Sequence, residues 1–248
     1  MGREFSLDDL WFKDATAQGF FEPENFRHLP EATRRYLAHA MMPGTPVAAA
    51  VRLHMHGEIK LGRWLPFEAE QVIRRDTGMI WCATVRMSGL PIHGWDRLIC
   101  GQGEMKWKLL GIIPVLSASG PDVTRSAIGR VEAESIWLPS HFCHQDIVWT
   151  EAGESRAHAE FIIDHEPARL DLYLDDAGGL QKLSMPRWGN PEGGGFHYSN
   201  FGGIVEGEGT FDGYTIPTRL RVGWYFGEDR FEKEGEFFRV TIDTAVYK

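Results

Sequence analysis

Val51-Arg52-Leu53-His54-Met55-His56 alternates apolar and polar side chains without a break. Successive side chains of a strand point to opposite faces, so this period of two predicts a half-buried β-strand. The same period returns downstream. Trp81, Ala83, Val85 and Met87 alternate with Cys82, Thr84 and Arg86, and Met105, Trp107 and Leu109 alternate with Glu104, Lys106 and Lys108. After residue 150, Ala157, Ala159, Phe161 and Ile163 form one apolar set and Leu170, Leu172 and Leu174 another. Further strands are expected near 180–187, 196–208, 214–226 and 237–247. Ser88-Gly89, Gly101-Gln102-Gly103 and Asp175 to Gly179 read as turns between them.

Two segments break the period. Leu29-Pro30-Glu31 is a helix start, followed by Ala32, Tyr36, Leu37 and Ala40 at helical spacing and stopped by Pro43-Gly44. Gly120-Pro121-Asp122 opens a second helix, expected over Thr124–Trp137 and stopped by Leu138-Pro139. Residues 1–26 read as an N-terminal arm, with Ser6 capping a turn from Leu7 and with Leu10, Trp11 and Phe12 docked on the body. Residues 27–248 read as a single domain. Consecutive strands with short turns imply antiparallel meanders. The expected fold is therefore mainly β (α+β). It is a long curved antiparallel sheet, a half-barrel of about ten or eleven strands, with two or three helices packed on its concave side. A closed lipocalin-like barrel is the alternative.

Bulk composition narrows the partners. Apolar residues at 43% and charged residues at 25% describe an ordinary globular chain, and a net charge of -9 argues against a nucleic-acid or anionic-membrane binder. The three cysteines form no C-x-x-C pair, which suits a reducing compartment. The acidic N-terminus has no apolar stretch of signal-peptide type, and the apolar run 109–116 is too short to span a membrane, so a cytoplasmic location is expected. No Walker, dinucleotide, G-x-S-x-G or H-E-x-x-H motif occurs, and no cofactor or metal is expected.

The residues that carry chemistry are few. At 100° per residue, Glu134 falls inside the apolar arc of the second helix formed by Val123, Ala127, Val131 and Leu138. A carboxylate there must be paired, with Arg130 one turn back or an arginine of the sheet, or must act as an acid or base. His54 and His56 share one face of the first strand with Arg52 and Glu58: a solvated face, pocket-lining acid/base groups, or a metal pair completed by His158, His197 or Asp96. Arg86 and Asp96 are expected to meet across two strands if those strands pair. His141 and His144 flank Cys143 in a loop, and Arg187-Trp188 and His197-Tyr198 flank a glycine-rich segment, Gly189–Gly195, that reads as a rim or a hairpin turn. Tryptophans including Trp81, Trp107 and Trp137 suit either a core or a pocket for an apolar ligand.

A family pattern runs through these residues. Leu29-Pro30 with Arg35-Tyr36-Leu37, Arg52-Leu53 with Gly57, Pro66-Phe67 with Ala69-Glu70-Gln71, and Trp81-Cys82-Ala83 with Arg86-Met87 come first. Asp96 with Gly101-x-Gly103-x-Met105, the block 109–121, Glu134 with Trp137 and Pro139, Ile216-Pro217 and Trp224 follow. In these the chain resembles a widespread bacterial family of uncharacterised proteins. The resemblance implies the half-barrel of bacterial lipoprotein carriers, whose concave face holds acyl chains. It implies no activity. His54, His93, His141, His144 and His197 look like additions to the family pattern, which would suit a specialised acid/base role.

Two functions follow as expectations. The first is cofactor-independent acid/base chemistry, of lyase or isomerase type, on a small apolar or aromatic molecule. Glu134, Asp96, His54, His56 and Arg86 would act, while Trp81, Trp107, Trp137, Arg187, His197 and Tyr198 would hold the substrate. The alternative is a non-catalytic carrier of a lipid or other hydrophobic ligand. No nucleic acid and no integral membrane segment is expected, and exposed edge strands leave room for a homodimer.

Overall fold

Ser88 and Gly89 both adopt positive φ (53° and 83°), the left-handed pair of a type I′ turn, whose twist matches the flanking strands. Cys100-Gly101, Asp164-His165 and Asp212-Gly213 repeat the device. Turns this tight lock neighbouring strands into antiparallel register. The computed structural model describes residues 5–13 and 19–248. Its strands are β1 (Ala50–Leu61), β2 (Arg63–Arg74), β3 (Gly78–Met87), β4 (Leu90–Ile99), β5 (Gln102–Leu109), β6 (Ile113–Ser119) and β7 (Val148–Glu151). They continue with β8 (Arg156–Ile163), β9 (Glu166–Leu174), β10 (Leu180–Gly189), β11 (His197–Phe211), β12 (Tyr214–Trp224) and β13 (Glu236–Tyr247).

All thirteen join one antiparallel sheet in the order β6-β5-β4-β3-β2-β1-β13-β12-β11-β10-β9-β8-β7. The count exceeds the expected ten or eleven because Pro91, Gly94 and Pro114 mask the period of β4 and β6, and because β7 has only four residues. The sheet does not close: β6 and β7 are free edges, and β13 joins the two meanders by pairing with β1.

Curvature follows from one helix. α3 (Pro121–Glu134) packs against β4, β5 and β6 and also against β9 and β10. On a flat sheet β5 and β10 would lie about 38 Å apart at about 4.8 Å per strand, more than a helix can bridge sideways. The sheet curls around α3, as the half-barrel expectation requires. α3 begins and ends three residues earlier than expected, because Ser135–Trp137 tightens into a 3₁₀ turn. α2 (Glu31–Ala40) lies on the same inner side, where Tyr36 meets Phe142 edge-on at 5.9 Å.

The arm divides between the faces. In α1 (Leu7–Trp11), Ser6 caps the helix as expected and Leu10 is fully buried against Val72 and Ile80. Ile80 alternates with Met79 and Trp81 of the inner core, so this contact lies on the outer face, not the concave one. Phe12 is 67% exposed, whereas Phe21 enters the main core. Among the described residues no helix is long and apolar enough to cross a membrane.

Candidate functional site

Strand parity decides which polar side chains face inward. The inner side of β2 carries Leu65, Phe67, Ala69, Gln71 and Ile73, that of β4 carries Ile92, Gly94, Asp96 and Leu98, and that of β10 carries Leu183, Met185 and Arg187. Three polar residues thus sit on apolar rows. Register then aligns Gln71, Trp81, Asp96 and Met105 in one row across β2 to β5. α3 lies over that row and presents Val123, Ser126, Ala127, Arg130, Glu134 and, one turn on, Trp137 at helical spacing.

Between helix and row lies a cavity of about 180 Å³, lined mainly by apolar groups that include Trp81, Phe201, Phe237, Phe238 and Leu220. Its charges form a chain. Arg130 donates from Nε to Glu134 Oε1 (2.7 Å) and from a terminal nitrogen to Asp96 Oδ2 (3.1 Å), and its guanidinium lies 4.6 Å from the Trp81 ring. Trp107 Nε1–H donates to Asp96 Oδ1 (2.9 Å), and Gln71 Nε2 donates to Glu134 Oε2 (2.5 Å). Burial holds the Asp96 carboxyl above its ordinary value against the pull of Arg130 and Trp107. Close approach makes this possible at Gly94, where a Cβ would stand 2.1 Å from Trp107 Cδ2. Gly94 is the floor on which that indole lies.

Arg187 enters from the opposite wall. Its guanidinium is 4.5 Å from the Phe201 ring and 5.3 Å from that of Trp224, and it donates to the Ser126 carbonyl at 3.2 Å. Burial and the Arg130 charge lower its pKa to about 10, which leaves it charged at neutral pH. Behind it Glu132 is buried on α3 and accepts the Arg169 backbone N–H at 2.6 Å, and burial pushes its carboxyl up to about 8.

The sequence-derived site divides along these faces. Glu134, Asp96, Trp81, Trp107, Trp137 and Arg187 cluster about the cavity: Trp107 is packed on its wall through Asp96, and the other five line it. Glu134 takes the Arg130 pairing that helical spacing allowed. Arg86 does not meet Asp96. β3 and β4 do pair, but their register sets Asp96 opposite Trp81 and Arg86 opposite Pro91, and Arg86 is exposed on the outer face. Arg130 takes the place expected of Arg86.

His54 and His56 also project outward, where His56 Nδ1 lies 2.9 Å from Asp243 and His54 3.7 Å from Glu70. Together with His93, Lys106 and Lys108 they border an open outer groove of about 820 Å³, larger than the inner cavity but freely solvated. Asp96, on the other face, cannot join them, and no group of three His, Cys, Asp or Glu fit for a metal occurs among the described residues. His197 hydrogen-bonds the Gly195 carbonyl (3.1 Å), and Tyr198 is exposed against Trp188. Neither lines the cavity. His141 is half-buried, with its Nε2 enclosed, and desolvation drives its pKa down to about 3, while the neighbouring Cys143 thiol is pushed up to about 12. Gln71, Arg130, Glu132 and the phenylalanines were not picked out as site residues. Gln71 on an apolar parity row was the signal available for it.

Among curated proteins none matches this chain. Two solved structures are similar in shape at 8% identity. A putative outer membrane lipoprotein-sorting protein domain from Vibrio parahaemolyticus has a TM-score of 0.42, over 81% of this chain and 86% of that one. A LolA superfamily protein from Nitrosomonas europaea has a TM-score of 0.45, over 88% and 92%. The family model of DUF6920 matches residues 27–247, and the chain belongs to this family of unknown function.

Proposed function

We propose that the chain is a non-catalytic binding protein that holds a small apolar or aromatic molecule between α3 and the inner face of β3, β4 and β10. The observation that carries this reading is the cavity itself: about 180 Å³ of space inside the curl, walled mainly by apolar and aromatic side chains. Engineered apolar cavities of about 150 Å³ take up benzene, so a ligand of one ring or a short chain has the right size. Burying six carbons contributes about 5 kcal/mol at about 0.8 kcal/mol per methylene, before the costs of association. Such binding is exchangeable, as a carrier requires.

Acid/base catalysis has less support. Asp96 and Glu134 are both hydrogen-bonded to Arg130, and no histidine is among the residues lining the cavity. All four oxygens of these two carboxylates already accept hydrogen bonds, from Trp107, Arg130 and Gln71. The test is titration with the uncharged single-ring probes toluene and indole, followed by tryptophan fluorescence for toluene and by calorimetry for both. The wild type should respond saturably, and Ala127→Phe, which fills the cavity from α3, should abolish the response. No saturable response, or one that survives Ala127→Phe, contradicts the reading.

A further inference from the structure

Every other charge at the cavity is paired. Arg130 holds Asp96 and Glu134, and Arg97 holds Glu104. Arg187 alone has no ion pair among the described residues. Its one hydrogen bond goes to the Ser126 carbonyl, its Nε is buried without a partner, and its guanidinium is fixed by two aromatic rings. A guanidinium has five donors in a rigid fork that matches a carboxylate. The Trp81 indole N–H, on the same cavity, also lacks an acceptor.

The helix accommodates this arginine at a cost to itself. Gly129 sits in mid-helix, where glycine is worth about 1 kcal/mol less than alanine. A Cβ there would stand 2.9 Å from Arg187 Cγ. The glycine leaves room for the arginine stem to pass under α3.

We propose that Arg187 is a carboxylate clamp, and that the ligand of the cavity is a small monocarboxylic acid whose apolar part has about six to eight carbons. The clamp rests on the binding reading above and deepens it. The carboxylate supplies the acceptor that Arg187 lacks, and the tail fills the space toward Trp81 and Phe238.

The test compares sodium octanoate with 1-octanol, by calorimetric titration of the wild type, Arg187→Met and Arg187→Lys. Arg187→Met keeps an apolar stem without the charge. The wild type should bind octanoate at least tenfold more tightly than octanol, Arg187→Met should lose that preference while still binding octanol, and Arg187→Lys should retain part of it. If Arg187→Met fails to fold, the wild-type preference and its reduction in Arg187→Lys decide. Equal binding of the two probes by the wild type, or an unchanged preference in Arg187→Met, overturns the clamp but leaves the cavity reading standing. Binding of neither probe overturns both.

Discussion

Replacing Glu132 by glutamine should stabilise the protein, and should do so only above the pH at which this carboxyl ionises in the unfolded chain. Glu132 is 4% exposed, and burial moves its carboxyl from an ordinary 4.5 to about 8. Between those values the unfolded chain has released the proton and the folded chain keeps it. The folded state binds more protons, so stability falls as pH rises through this window and levels off above it. At 1.36 kcal/mol per pH unit, the loss from pH 4.5 to pH 7 is about 3 kcal/mol, with a ceiling of about 5 kcal/mol above pH 8. Relaxation around a buried charge makes these upper values. Glutamine keeps the carbonyl that accepts the Arg169 N–H and has no proton to lose.

The assay is urea unfolding of wild type and Glu132→Gln from pH 4.5 to pH 8.5, taken as a difference. His141, neutral in the fold with a pKa near 3, acts with the opposite sign: its contribution is lost as pH falls below 6.5. It is common to both proteins and cancels. The variant should match the wild type near pH 4.5 and exceed it by about 2–4 kcal/mol at pH 8. Parallel curves across the range would refute the reasoning.

Gly94→Ala should drive Trp107 off its floor and loosen the bond to Asp96. Overpacking of this kind costs about 1–3 kcal/mol, read as a fall in melting temperature of about 3–10 °C, and an unchanged melting temperature would contradict the placement. Arg130→Met should cost about 3–5 kcal/mol in denaturant unfolding, because two buried carboxylates lose their partner. Adding Asp96→Asn and Glu134→Gln should recover most of that loss, and a triple variant no more stable than Arg130→Met would argue against the charge chain.

Period and turn chemistry made the architecture legible. The alternation 51–56 and 157–163 and the Gly-Pro helix start at 120–121 suffice for strands, helices and a curled antiparallel sheet. The site was half legible. Glu134 stands out because helical phase puts a carboxylate among apolar residues, and Arg130 is its natural partner at four residues. Arg86 misled because a pairing across strands depends on register. Here the Ser88-Gly89 turn sets that register, and it carries Arg86 far from Asp96. The histidines misled because parity assigns His54 and His56 to a face without saying which face is inside. Arg187 was legible as a residue but not as an unpaired charge, since its isolation depends on α3 crossing over β10, a contact between segments some sixty residues apart.

The choice between the inner cavity and the larger outer groove is the most direct test of the binding account. Crystals grown with 8-bromooctanoate locate the ligand through the anomalous signal of bromine. The account predicts a bromine peak between α3 and Trp81, with the carboxylate on Arg187. A peak confined to the outer groove beside His54, Lys106 and Lys108, or no peak at a saturating concentration, would contradict it.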